Sequence, residues 1–168
     1  MKKIYLLLSV ALPFCLVSNS PRLPEAHISG PGPELFSVDG VHSSILFRVK
    51  HLDISYFYGR FNDLSGEIHW APDHPLDTSV VFTVNSGSVD TGHEGRDGHL
   101  RGPDFFAAKE FPTWSFRSTK IEELGEDRFA VTGELSLRGK TKELRFEMLK
   151  TGEGRSPKFG RKIGFTGF

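Results

Sequence analysis

Along most of this chain, large apolar residues recur at every second position in short runs, the period of a half-buried β-strand. Leu35–Asp39 is a first short candidate. In Ser43–Val49, Ile45, Phe47 and Val49 share one face, while Leu46, Arg48 and Lys50 lie on the other. Asp53–Tyr58 breaks the alternation by crowding Ile54, Tyr56, Phe57 and Tyr58 together, which predicts a short helix or bend. Leu64, Gly66, Ile68 and Trp70 then share a parity with which Phe61 is out of phase, so a bulge is expected near Asn62-Asp63. After a Pro-containing turn over Ala71–Asp77 come Val80, Phe82 and Val84 on one face, then Trp114 and Phe116 on a strand ending near Ile121. Phe129, Val131, Leu135 and Leu137 follow beyond the turn residues Gly125-Glu126-Asp127, and Gly139-Lys140 leads to Leu144, Phe146 and Met148. A Gly-rich loop precedes Ile163 and Phe165, the start of a last and short strand that runs to the final Gly167-Phe168. The count is about eight strands, mostly antiparallel because the turns are short. Eight strands suit an antiparallel β-barrel whose interior holds either packed side chains or one ligand, two cases that periodicity does not separate.

One stretch does not alternate. Ser88–Phe106, S-V-D-T-G-H-E-G-R-D-G-H-L-R-G-P-D-F-F, is dense in charge and reads as one short helix. Thr91 and Glu94 have capping-box spacing, Asp97 and Arg101 stand at i, i+4 with the acid first, and Gly102-Pro103 stops the helix. Gly95 and Gly98 lie inside it, each costing roughly 1 kcal/mol against Ala, and Leu100 is its only large apolar residue. Such a helix needs support, so it is expected as a polar lid across the end of a β-structure.

The N-terminus changes the domain boundaries. Lys2-Lys3 followed by the apolar run Ile4–Val17 has the layout of a secretory signal peptide, with residues 1–20 removed on export to the periplasm or outside. The run is short for a permanent membrane span. Leu12-Pro13-Phe14 before Cys15 is not the small-residue approach that a lipid-anchored cysteine uses. Residues 21–33, rich in Pro and Gly, form a leader, and residues 34–168 form one domain with one core. Without Lys2 and Lys3, the 21 basic residues fall to 19 against 21 acidic ones, and this balance does not support nucleic-acid binding. Cys15 is the only cysteine, so the domain has neither a disulfide nor a thiol nucleophile. Of the 15 phenylalanines, all but Phe14 fall beyond the signal segment, many on one strand face.

Reactive chemistry is sparsely signalled. His93 and His99, with His42, His51, Glu94 or Asp97, have no common zinc spacing, and no metal is expected. The chain lacks G-x-S-x-G and any glycine-rich phosphate loop, so no catalytic residues are assigned and no cofactor is implied. Arg96 and Arg101 can each hold an anionic head group, or instead pair internally to fix the lid, Arg101 through Asp97.

The lid string nevertheless resembles the YceI-like family, whose members carry S-V-D-T, then H-x-x-R-D-x-H-L, then D-F-F. The likeness extends to D-G-V-H-S-S-I-L-F-R-V-K-H-L, F-Y-G-R-F-N-D-L-S-G-E-I, F-P-T-W-S-F-R-S-T, V-T-G-E-L-S-L-R-G-K-T-K-E-L and R-K-I-G-F, in order over most of Phe36–Phe165. The resemblance implies an all-β, extended, lipocalin-like eight-stranded antiparallel barrel with a short helical lid, and an exported protein that holds a polyisoprenoid or other amphiphilic lipid for transport or storage. It implies a tunnel lined by Ile45, Phe47, Val49, Phe82, Val84, Phe116, Val131, Leu135 and Phe146, with Leu100, Phe105 and Phe106 where the lid meets it. The head group would then lie near His93, Arg96 and His99. Some family members are homodimeric. The alternatives are an enzyme acting on a lipid through lid His and Asp residues, and a stress-related module with a solid core.

Overall fold

The computed structural model describes residues 32–168 except 72 and 159. The expected signal segment at 1–20, Cys15 and most of the leader lie outside the described residues. Among these residues, ten strands are arranged in two antiparallel sheets. They are β1 (Glu34–Ser37), β2 (Ile45–His51), β3 (Ser55–Phe61), β4 (Leu64–Trp70), β5 (Ser79–Asn85), β6 (Val89–Asp90), β7 (Thr113–Gly125), β8 (Arg128–Leu137), β9 (Lys140–Ser156) and β10 (Gly160–Gly167). The larger sheet has the order β1-β4-β5-β7-β8-β9-β10, and the smaller has β2-β3-β6. Together they make a nearly closed antiparallel β-barrel with one short helix, α1 (Glu94–Arg101).

The two strands beyond the expected eight are β3 and β6. Of the residues expected as a short helix or bend, Asp53 and Ile54 turn the chain, but Ser55–Tyr58 are strand. Leu52 and Asp53 take φ of 50° and 57° in a tight turn, and Tyr56 to Phe61 run back along β2. The crowding of Ile54, Tyr56, Phe57 and Tyr58 hid an ordinary strand that is wet on its outer face. The expected bulge at Asn62-Asp63 is a corner, where the chain leaves the small sheet for the large one. Phe61 ends β3 on one sheet and Leu64 opens β4 on the other, which is why their parities disagree. A second corner, Ser86–Ser88, returns the chain from β5 to β6, and the two corners are tied together. Asp63 accepts from the Asn85 backbone N–H and side-chain amide, both at 2.9 Å, and Asn62 donates to Asp90 at 3.1 Å. The expected Gly-rich loop is also strand. β9 continues through Gly152 and Gly154, where the missing side chains erase the alternation, and pairs with β10 as far as Gly160↔Ser156.

Two apolar clusters pack inside the barrel. One contains Trp70, Val80, Phe116, Ile121, Phe129, Val131 and Met148. The other, toward the corners and the helix, contains Phe61, Val84, Val89, Leu100 and Trp114. Phe82 and Leu135 pack against both. Both indole N–H groups are buried without a hydrogen-bond partner and sit among aromatic rings, Trp70 at 5.2 Å from Phe129 and Trp114 at 5.4 Å from Phe61, both edge-on.

Candidate functional site

Between the clusters lies an open cleft of about 1700 Å³. Its wall takes inward residues from nearly every strand: Phe36 of β1, Ile45 of β2, Leu64 and Ile68 of β4, Val80 and Phe82 of β5, Trp114 of β7, and Leu135 of β8. Phe146 and Met148 of β9 and Ile163 and Phe165 of β10 complete it. Pockets for drug-sized ligands run roughly 300–1,000 Å³, so this space suits a larger or longer molecule. Behind the wall, Phe116 is fully buried, with its ring stacked on Phe82 at 5.3 Å and edge-on to Phe146 at 5.3 Å. Gly133 makes room for it, because a Cβ there would stand 2.5 Å from the Phe116 ring.

The polar groups of the cleft gather where β1 faces β10, the two outer strands of the seven-stranded order. Arg161 of β10 bonds Glu34 of β1 and, at 2.7 Å, Glu153 of β9. Lys162 reaches Asp39 at 2.5 Å, and Arg161 lies over the Phe36 ring at 5.5 Å. Lys162 and His42, both hydrogen-bonded to Asp39, hold its carboxyl well below the usual carboxylate range. Arg161 and then Lys150 lower Glu153 likewise, and Glu153 pushes the Arg161 guanidinium up. The seam is thus closed by charged side chains.

The lid is held differently from the expected pattern. The helix cap is His93, whose Nδ1 accepts from the Arg96 N–H at 3.2 Å, and not the Thr91–Glu94 box. Thr91 is committed elsewhere: its N–H and hydroxyl both donate to buried Asp97, at 2.9 and 2.5 Å. Arg96 donates to the Thr91 hydroxyl at 2.7 Å and to its carbonyl at 2.8 Å, and stacks over Phe57 at 4.8 Å. With Asp97 turned inward to Thr91, Arg101 instead meets the Gly87 carbonyl at 3.1 Å and Glu94 at 3.5 Å. His99 lies 3.7 Å from Asp104, with its ring edge-on to Phe105 at 4.9 Å. Among the described residues, no three His, Cys, Asp or Glu side chains converge as a metal site would need.

A model of the YceI-like domain matches residues 36–167, almost the whole described chain. The chain belongs to the YceI-like family. A UPF0312 protein of Shewanella sp. (strain W3-18-1) is 41% identical over 133 residues, covering 79% of this chain and 70% of that relative. Among solved structures, the YceI protein of Campylobacter jejuni is 32% identical with a TM-score of 0.62, over 77% of this chain and 76% of that one. A polyisoprenoid-binding domain of Saccharophagus degradans shares the fold at 20% identity and a TM-score of 0.51, over 70% and 68% of the two chains.

Set on the YceI-like barrel, the residues expected at a tunnel divide. Ile45, Phe82, Leu135 and Phe146 line the cleft. Phe116, Val131 and Val84 are buried behind it in the core clusters. Leu100, Phe47 and Phe106 belong to the corner cluster, where the Phe47, Phe61 and Phe106 rings meet at 5.1–6.5 Å. Val49 and Phe105 are exposed. His93, Arg96 and His99 lie in the lid, off the cleft, in the contacts given above. The lining residues not singled out from sequence include Phe36, Leu64, Ile68, Val80, Trp114, Met148, Ile163 and Phe165. Most of them share the inward parity of strands that were legible, so the signal was present. What it lacked was a way to tell a cleft wall from the core behind it.

Proposed function

We propose that this protein is an exported carrier that holds a polyisoprenoid or similar amphiphilic lipid in the barrel cleft, for transport or storage, and that it is not an enzyme. The observation that carries this reading is the mainly apolar lining contributed by eight strands, with the charged groups gathered at the seam of β1 and β10. Each buried methylene contributes about 0.8 kcal/mol, so a long hydrocarbon chain is retained with few polar contacts. The seam charges are engaged with one another, an arrangement suited to meeting a polar head group rather than to proton transfer. Export is supported by Lys2-Lys3 and the apolar run Ile4–Val17.

The test is native mass spectrometry of the protein recovered from its host without detergent, followed by solvent extraction and uptake of an added polyprenol. The expected result is a discrete extra mass that leaves with the solvent. Leu135→Trp, which enlarges a side chain of the cleft wall, should reduce polyprenol uptake at least about tenfold, the loss of roughly two buried methylenes. Apo protein that takes up no polyprenol, or a Leu135→Trp variant that binds as the parent does, would overturn the reading.

A further inference from the structure

The hairpin β2–β3 has a property that the cleft does not use. Its outward cross-strand pairs are Leu46↔Arg60, Arg48↔Tyr58 and Lys50↔Tyr56, each a cation opposite an apolar or aromatic residue. Leu46, Tyr56 and Tyr58 are exposed, and the Arg48 guanidinium lies over the Tyr56 ring at 4.5 Å. From Arg48 to Tyr56 every residue is exposed, so this end of the hairpin stands clear of the barrel on both faces. Its tip carries Leu52 at 74% exposure and Ile54 at 85%.

Leu52 is in the wrong place for folding alone. It occupies a left-handed turn position, φ 50°, where Gly, Asn or Asp is favoured and a bulky side chain is strained. It buries little in return. A strained, exposed apolar residue is a reason to look for a function, and here the surroundings indicate which one. The hairpin bears Arg48, Lys50 and Arg60, with His51, against a single acid, Asp53, in a chain whose charges as a whole balance at 21 and 21. Lys50 meets Asp53 at 2.8 Å and Arg60 meets Asp90 of β6 at 3.2 Å, which leaves the Arg48 side of the face positive.

We propose that the β2–β3 hairpin docks this protein on an anionic lipid bilayer. Leu52 and Ile54 enter the acyl boundary, Tyr56 and Tyr58 lie at head-group depth, and Arg48 meets lipid phosphates. Ile45 and Leu46 at the base of the hairpin also line the cleft, so the docking element is continuous with the cleft wall. The inference holds whatever the cleft contains.

The test is co-sedimentation of the full chain with vesicles of phosphatidylglycerol and phosphatidylcholine, and with phosphatidylcholine alone. Binding is expected on the mixed vesicles, weakened by raising salt toward 1 M, where the screening length falls to about 3 Å. Leu52→Asn with Ile54→Asn should reduce the partition constant at least about tenfold, on the scale of burying one aliphatic side chain. Because Asn suits a left-handed position, the thermal midpoint should hold or rise, so weaker binding cannot be assigned to misfolding. Polyprenol uptake should be unchanged, which separates this test from that of the cleft. Three outcomes would overturn the proposal: equal binding to neutral vesicles, binding that survives both substitutions and so belongs to residues 4–17, or a dimer in solution that the two substitutions dissolve.

Discussion

Thr91 is the hub that holds the lid, and its cost of removal can be worked out from its bonds. Asp97 is 5% exposed and accepts, through one oxygen, both the Thr91 N–H and the Thr91 hydroxyl. Asp97→Ala leaves those two donors, and indirectly Arg96, without an acceptor. A buried unsatisfied donor costs about 1–3 kcal/mol, and Thr91 is half-buried, so water recovers part of this. The expected loss is about 2–4 kcal/mol. Asp97→Asn keeps an acceptor oxygen in the same place and loses only the charge assistance, about 1 kcal/mol. For a domain of this size each kcal/mol moves the thermal midpoint by about 3–5 °C. The Ala variant should therefore melt roughly 10 °C lower and the Asn variant a few degrees lower. Denaturant titration followed by tryptophan fluorescence gives the free energies directly. The two tryptophans divide between the clusters, so Trp70→Phe leaves Trp114 as the reporter on the lid side. If Asp97→Ala stays within about 0.5 kcal/mol of the parent, the hub is not a hub. Equal losses for Asn and Ala would show that charge rather than hydrogen-bond geometry secures the lid.

Two further outcomes follow from the barrel. Phe116→Ala removes a fully buried ring clasped between Phe82 and Phe146 and should cost about 3–5 kcal/mol in the same titration; a loss below 1 kcal/mol would mean that the cleft wall collapses into the space. At the seam, Asp39 and Glu153 are held below the usual carboxylate range, chiefly by Lys162 and Arg161 respectively, so in acid the unfolded chain binds more protons than the folded one. Their contribution is complete above about pH 4.5 and is lost as pH falls toward the depressed values. The thermal midpoint should therefore fall below about pH 4, and Asp39→Asn should flatten that decline. An unchanged acid slope in the variant would remove Asp39 from the account.

The barrel was legible because most strands bury one face and wet the other, so their period survives in the residues. It failed where that condition fails. The outer face of β3 mixes Tyr56 and Tyr58 with polar residues and imitates a bend. The glycines of β9 carry no side chain to alternate, and the Asn62-Asp63 corner shifts the phase of the pattern just as a bulge would. The lid helix was visible as a helix, yet its bonding was not, since spacing pairs Thr91 with Glu94 and Asp97 with Arg101 whereas burial pairs Thr91 with Asp97. Local spacing measures what is possible along one helix. Which option is taken depends on desolvation, and a buried carboxylate needs donors more than an exposed one does.

The same reasoning locates the easiest opening of the barrel. Adjacent strands elsewhere in the large sheet are joined by backbone ladders, and separating any of them breaks a row of hydrogen bonds at once. β1 is four residues long and pairs only with β4, while β10 pairs only with β9, so at the seam between them the bonds are those of exposed side chains. Exposed ion pairs contribute little individually and weaken with salt. Both seam strands also line the cleft, through Phe36 on one side and Ile163 and Phe165 on the other. Parting them exposes the apolar interior along its length without breaking a ladder.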